Sequence, residues 1–164
     1  MKKRVFIDMD GTVAEWKAAA TLSDVKKSGY FSMLRPNENM LRAAIMLSMR
    51  KDVDAYILSK ALDNAYAIPE KTGWLRHYAG NAFCGNRVIF VPMDAKKADV
   101  IPGGIVPSDV LVDDFSQNLL EWQTFGGRGI KVLNDINGAG IKWQGKKISI
   151  YDAPEEIVAE ILKA

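Results

Sequence analysis

The stretch Arg4-Val5-Phe6-Ile7-Asp8-Met9-Asp10-Gly11-Thr12-Val13 decides the fold, because an apolar run stops abruptly at two carboxylates one residue apart. Val5, Phe6 and Ile7 are uninterrupted by polar residues, as in a parallel strand covered on both faces. Gly11 then lets the backbone turn at the strand's carboxyl end, where ligands collect in open α/β sheets. Alternate side chains of an extended chain share a face, so Asp8 and Asp10 start on one side. Such a pair repels unless a cation or a shared proton intervenes. One carboxylate can attack phosphorus while the other handles the leaving group's proton. A solvated turn is the plain alternative, since Asp and Gly commonly end strands. A calcium-binding loop fails, because its required glycine and glutamate positions hold Val13 and Ala19.

Composition narrows the chemistry. With 164 residues and 48% hydrophobic residues, the chain fits one domain with a sizeable core, or a core with a small insertion. Lys and Arg number 22 against 20 Asp and Glu, a net charge of +2. That balance announces neither a nucleic-acid polymer nor a membrane surface as partner, but it suits small anions. Cys84 is the only cysteine and His77 the only histidine. No internal disulfide, thiolate zinc cage or Ser-His or Cys-His pair can therefore be assembled within one chain, and any metal must be held by oxygens. No apolar run is long enough to span a bilayer, and Met1-Lys2-Lys3-Arg4 leads directly into a short strand, so the cytoplasm is the expected compartment.

Further strands and helices alternate along the chain. Val13 to Lys27 favours helix, with Trp16 either a core anchor or a roof over the site, and Ser28 to Pro36 reads as an irregular loop carrying Tyr30 and Phe31. Asn37 can cap a helix whose stripe is Met40, Leu41, Ala44, Ile45 and Leu47. Asp54 to Ser59 is a second buried strand ending in a hydroxyl, which is either an ordinary cap or a phosphate donor. Pro69 opens a helix whose buried face is Trp74, Leu75 and Tyr78, with His77 structural. Val88 to Pro92 is the third strand, followed by Lys96 and Lys97, either of which could turn an ammonium inward. Asp109 to Asp114 repeats the first design, an apolar run ending in acids, and Ser116 can cap the next helix. Two strands ending in carboxylate pairs are hard to explain as turns, whereas a hard dication with oxygen ligands would hold them together. Gly129 to Asn134 is a fifth strand, Ile141 to Trp143 and Lys147 to Ile150 suggest a terminal hairpin, and Pro154 to Leu162 closes as an amphipathic helix. The fold class is α/β with a central parallel sheet.

Asp8-x-Asp10-Gly11-Thr12, Ser59, Lys97 and Asp113-Asp114, in this order, resemble the four motifs of the haloacid dehalogenase (HAD) superfamily, mostly phosphohydrolases. The segments Gly29 to Pro36, Pro69-Glu70-Lys71-Thr72-Gly73-Trp74-Leu75 and Val112-Asp113-Asp114 with Asn118-Leu119 are similar to those of its 5'(3')-deoxyribonucleotidase branch. That branch has Thr-Ser-Pro where this chain has Leu58-Ser59-Lys60, and its animal members have a longer cap.

The resemblance implies a single HAD-type Rossmann-like domain over residues 1–164, with a small helical cap at about 13–52 inserted after the first strand. It implies Mg²⁺-dependent hydrolysis of a phosphomonoester, a small phosphorylated substrate such as a nucleoside monophosphate, through an aspartyl phosphate. Asp8 is then the nucleophile and Asp10 the general acid and base. Ser59, Lys97 and Lys71 hold phosphate, and Phe31, Tyr30 and Trp16 meet the substrate. The metal is drawn from Asp8, Asp10, Asp113 and Asp114. A phosphatase for a sugar phosphate or other small metabolite, and a nonhydrolytic phosphate-binding module, are the rival readings. Whether the chain is a monomer or a homo-oligomer stays open.

Overall fold

The structure is a computed structural model and describes residues 2–17, 21–137 and 143–164. Six strands form one sheet: β1 (Lys3–Ile7), β2 (Val53–Ala61), β3 (Val88–Pro92), β4 (Val110–Asp113), β5 (Arg128–Leu133) and β6 (Lys147–Ser149). Their spatial order is β3-β2-β1-β4-β5-β6, and every neighbouring pair is parallel. The order reverses between β1 and β4, and such a switch point opens a crevice at the strands' carboxyl ends.

Alternation along the strands supplies two cores. Val5 and Ile7 of β1 face one side with Val53, Ala55 and Ile57 of β2 and Val110 and Val112 of β4. Helices α2 (Glu38–Ser48), α3 (Ala67–Ala79) and α5 (Pro154–Leu162) bury their apolar stripes there. Phe6, Leu58 and Leu111 face the other side, where Leu119 and Trp122 of α4 (Ser116–Thr124) and Trp143 cover them. The near-continuous apolar runs of β1 and β4 follow from this double coverage, because Val5 to Ile7 and Val110 to Asp113 are buried on both faces.

Local chemistry moved several boundaries. The helix expected over Val13 to Lys27 is reduced to α1 (Leu22–Val25), and Ala18, Ala19 and Ala20 lie outside the described residues. Val13 and Ala14 are drawn into the motif loop instead, Ala14 bridging Pro36 and its carbonyl accepting from Gly11 N at 2.8 Å. Asn37 precedes α2 without capping it. Its amide donates to Thr12 O at 2.8 Å, while its backbone N–H donates to Val13 O at 2.9 Å. The start of α3 lies two residues before Pro69, because Asn64 Oδ1 accepts from Tyr66 N and Ala67 N at 3.0 and 2.8 Å. Ser116 makes no cap, and α4 begins behind Phe115.

The second arm of the expected terminal hairpin, Lys147 to Ile150, supplies β6. Lys147–Ser149 joins β5 in parallel, with Lys131 opposite Lys147. Ile141 and Lys142 of the other arm lie outside the described residues, and Trp143 is not in a strand. Trp143 is 1% exposed and packs against Gly129 of β5.

Asn37→Ala removes the bond to the buried Thr12 carbonyl, and the expected loss is ~1–3 kcal/mol of unfolding free energy, measured by urea titration.

Candidate active site

Register brings the acids together. Ile7 pairs with Val112, so the next residues, Asp8 and Asp113, emerge side by side at the switch point. Gly11 turns the chain with φ 81°, and a Cβ there would lie 2.3 Å from Asp114 Oδ2. Glycine at this position therefore serves both the left-handed turn and the close approach of the second acid. Carboxylate oxygens of Asp8, Asp113 and Asp114 lie within 4.8 Å of one another.

Lys97 stands between two of these acids. Its buried ammonium donates to Asp8 Oδ1 and, at 2.7 Å, to Asp113 Oδ2. Lys96 is exposed, with its ammonium 5.7 Å from the Phe125 ring, so Lys97 is the lysine that turns inward. Asp113 is engaged at both oxygens, Oδ1 accepting from Phe115 N at 2.8 Å and Oδ2 also from Asn118 Nδ2 at 2.9 Å. Asp114 Oδ2 accepts from Asn134 Nδ2 at 3.0 Å, and the same amide donates to Gly11 O at 2.7 Å. Lys131 donates to the backbone carbonyl of Asp114.

The cluster holds more negative charge than Lys97 offsets. Burial, then the neighbouring acids, push the Asp8 carboxyl up despite Lys97. Asp114 is pushed up to about 7, chiefly by burial and then by Asp113. Burial alone would lower Lys97, but Asp113 and Asp8 more than offset it and hold the ammonium charged. Three clustered carboxylates, of which Asp8 and Asp114 have raised proton affinity, are the donor set a hard dication suits, since it replaces protons without the geometry of a soft site.

The remaining predicted residues divide. Asp10 lies outside the cluster, its Oδ2 accepting from Lys71 while Oδ1 is buried without a hydrogen-bond partner. Lys71 also donates to Ser59 Oγ at 2.9 Å and Lys60 O at 2.7 Å, which joins Ser59 to the same network. Phe31 and Tyr30 are 3% and 6% exposed, and Trp16 is half-buried with its ring 5.9 Å from that of Tyr30. These aromatics pack on one another and on Lys71, whose ammonium lies 4.5 Å from the Phe31 ring centre. The sequence reading missed Asn134, Asn137 and Lys131. Asn137 Nδ2 donates to Asp114 O at 3.0 Å and Val132 O at 2.9 Å. The only signal for this pair was two asparagines in a turn at a strand's carboxyl end.

No family model matches the chain, and no curated protein matches it. Among solved structures, a D,D-heptose 1,7-bisphosphate phosphatase from Burkholderia thailandensis superposes with a TM-score of 0.61 at 15% identity, over 99% of this chain and 100% of that one. The chain has the HAD-type Rossmann-like fold. With that fold, no helix among the described residues is long and apolar enough to cross a membrane.

The Asp114 shift has a checkable sign. Its pKa of about 7 exceeds the ~3.9 of an unfolded Asp, so the folded chain holds this proton more tightly. Its contribution is complete below pH ~4 and is lost as pH rises through about 7. In chelator, melting temperature should fall between pH 5 and 7.5 more steeply in wild type than in Asp114→Asn. Added Mg²⁺ should raise the wild-type melting temperature more at pH 7.5 than at pH 5, because cation and proton compete. Parallel pH slopes for the two proteins would contradict this assignment.

Proposed function

We propose that the protein hydrolyses phosphomonoesters with Mg²⁺. The observation that carries the reading is the buried Lys97 ammonium joining Asp8 and Asp113, with Asp114 alongside, at the switch point of a HAD-type fold. Asp8, Asp113 and Asp114 would hold the metal, which supplies positive charge against the phosphoryl oxygens. Asp113 has both oxygens engaged and Asp114 one, which favours Asp114 as the direct ligand and Asp113 as the residue that fixes Lys97.

Asp8 attacks phosphorus through a carboxylate oxygen, forming an acyl phosphate as the bond to the leaving oxygen breaks. Asp10 gives that oxygen its proton. Asp10 then takes a proton from water, which attacks phosphorus, releases inorganic phosphate and restores the Asp8 carboxylate. Lys97 neutralises the approach of one anion to another, and the Ser59 hydroxyl borders the phosphoryl site. The cap we propose within 13–52 is supplied chiefly by the part ahead of α2, since α2 itself packs on β2 and α5.

Within this activity a nucleoside monophosphate is the substrate that the Pro69 to Leu75 and Gly29 to Pro36 segments suggest. The second reading, a sugar phosphate or other small metabolite, is favoured by the burial of Phe31 and Tyr30, which leaves little free aromatic face for a base. A panel of nucleoside monophosphates and sugar phosphates, run with Mg²⁺ and with chelator, separates the readings. Turnover in excess chelator would defeat the metal assignment, and no turnover on any ester would favour a binding module.

Asp8→Asn should abolish both turnover and the covalent phosphoenzyme trapped by acid quench. Asp10→Asn should slow turnover by roughly 10²- to 10⁴-fold while still forming the phosphoenzyme from esters with good leaving groups. Normal turnover by Asp8→Asn would rule out the covalent route.

A further inference from the structure

The two oxygens of Asp10 are unequal. Oδ2 is held by Lys71, whereas Oδ1 is buried and has no hydrogen-bond partner. Lys71 is 1% exposed and divides its donors among Asp10 Oδ2, Ser59 Oγ and the Lys60 carbonyl. An ammonium has three donors, so this arrangement leaves none for a phosphate oxygen. Lys71 therefore acts on Asp10 in this geometry.

What keeps Lys71 there is its neighbour in sequence. The Glu70 carboxylate accepts from Gly29 N at 2.5 Å and Phe31 N at 3.0 Å, with the Ser28 hydroxyl at 3.5 Å. Charged acceptors on backbone amides make strong bonds, and here they tie a loop to α3 across about forty residues of chain. One turn further along α3, Trp74 Nε1 donates to Leu34 O at 2.7 Å and anchors the loop's other end. The loop so held lays the Phe31 ring beside the Lys71 ammonium and excludes water from it. Adjacent residues of one helical turn thus reach opposite ways, Glu70 to the loop and Lys71 to Asp10.

We propose that Glu70 is a positioning residue for proton transfer: by gripping Gly29 and Phe31 it seats Phe31 on Lys71, and Lys71 in turn holds Asp10 with Oδ1 free for the leaving oxygen. This rests on the phosphatase reading above. It also means that Phe31 serves the acid rather than the substrate in this geometry.

The test is leaving-group dependence. Glu70→Gln keeps the shape but loses the charge and one acceptor oxygen. Single-turnover release is measured from an alkyl phosphate, whose alkoxide needs a proton to depart, and from an aryl phosphate with an acidic phenol, which does not. Release from the alkyl ester should slow roughly tenfold or more, with the aryl ester changed by less than about twofold. Amide hydrogen exchange over residues 29–31 should accelerate in the same variant. Phe31→Leu, which keeps apolar filling without the ring, should give the same selective loss, and it decides the matter if Glu70→Gln folds poorly. Equal losses on the two esters, or an unchanged alkyl rate, in an active protein would overturn the positioning role alone. A wild-type protein that releases phosphate from neither ester overturns the phosphatase reading instead, and Asp10's role with it.

Discussion

Excess negative charge in a buried crevice is the constraint around which this structure is arranged. Asp8, Asp113 and Asp114 converge where two central strands end, and burial raises the cost of ionising Asp8 and Asp114. Lys97 offsets part of that charge from the loop after β3, and its own ammonium stays charged because the acids outweigh its desolvation. The remaining imbalance is what makes the site receptive to a cation or to protons. In the proposed reaction a phosphoryl group would bring still more negative charge, so its binding and the metal's would belong to one electrostatic problem.

A second acid-base pair stands beside the first. Lys71 faces Asp10, and the two lysines sit on different elements, Lys97 after β3 and Lys71 on α3. Asp8 and Asp10, the proposed nucleophile and proton carrier, are consequently held by separate supports. The Lys97 pairs join the ends of β1 and β4 to the turn after β3, whereas the Lys71 pair is covered by the loop that Glu70 binds and that carries Phe31.

Hydrogen bonds from asparagine amides hold the frame in place. Asn37 ties the motif loop to the start of α2 through Thr12, and Asn134 joins Gly11 to Asp114 across the mouth. Asn118 secures Asp113 from α4. An amide can orient a carboxylate or carbonyl without adding charge, which suits a crevice whose charge balance is already strained.

The sequence by itself determined the strands β1 to β5, their parallel arrangement and the paired acids at the ends of β1 and β4. Apolar runs long enough to be covered on both faces, stopped by Asp and Gly, carry those features locally. The α5 helix, Pro154–Leu162, was legible for the same reason, since its apolar period and its opening proline lie within one short segment. Only the tertiary structure decided which of Lys96 and Lys97 turns inward, that β6 runs parallel to β5, and that Asn37 serves Thr12 in place of its own helix. It also turned Phe31 and Tyr30 into buried packing beside Lys71. Each of these depends on partners tens of residues away, so burial and hydrogen-bond satisfaction in three dimensions, rather than local propensity, chose among conformations that the chain alone leaves equally open.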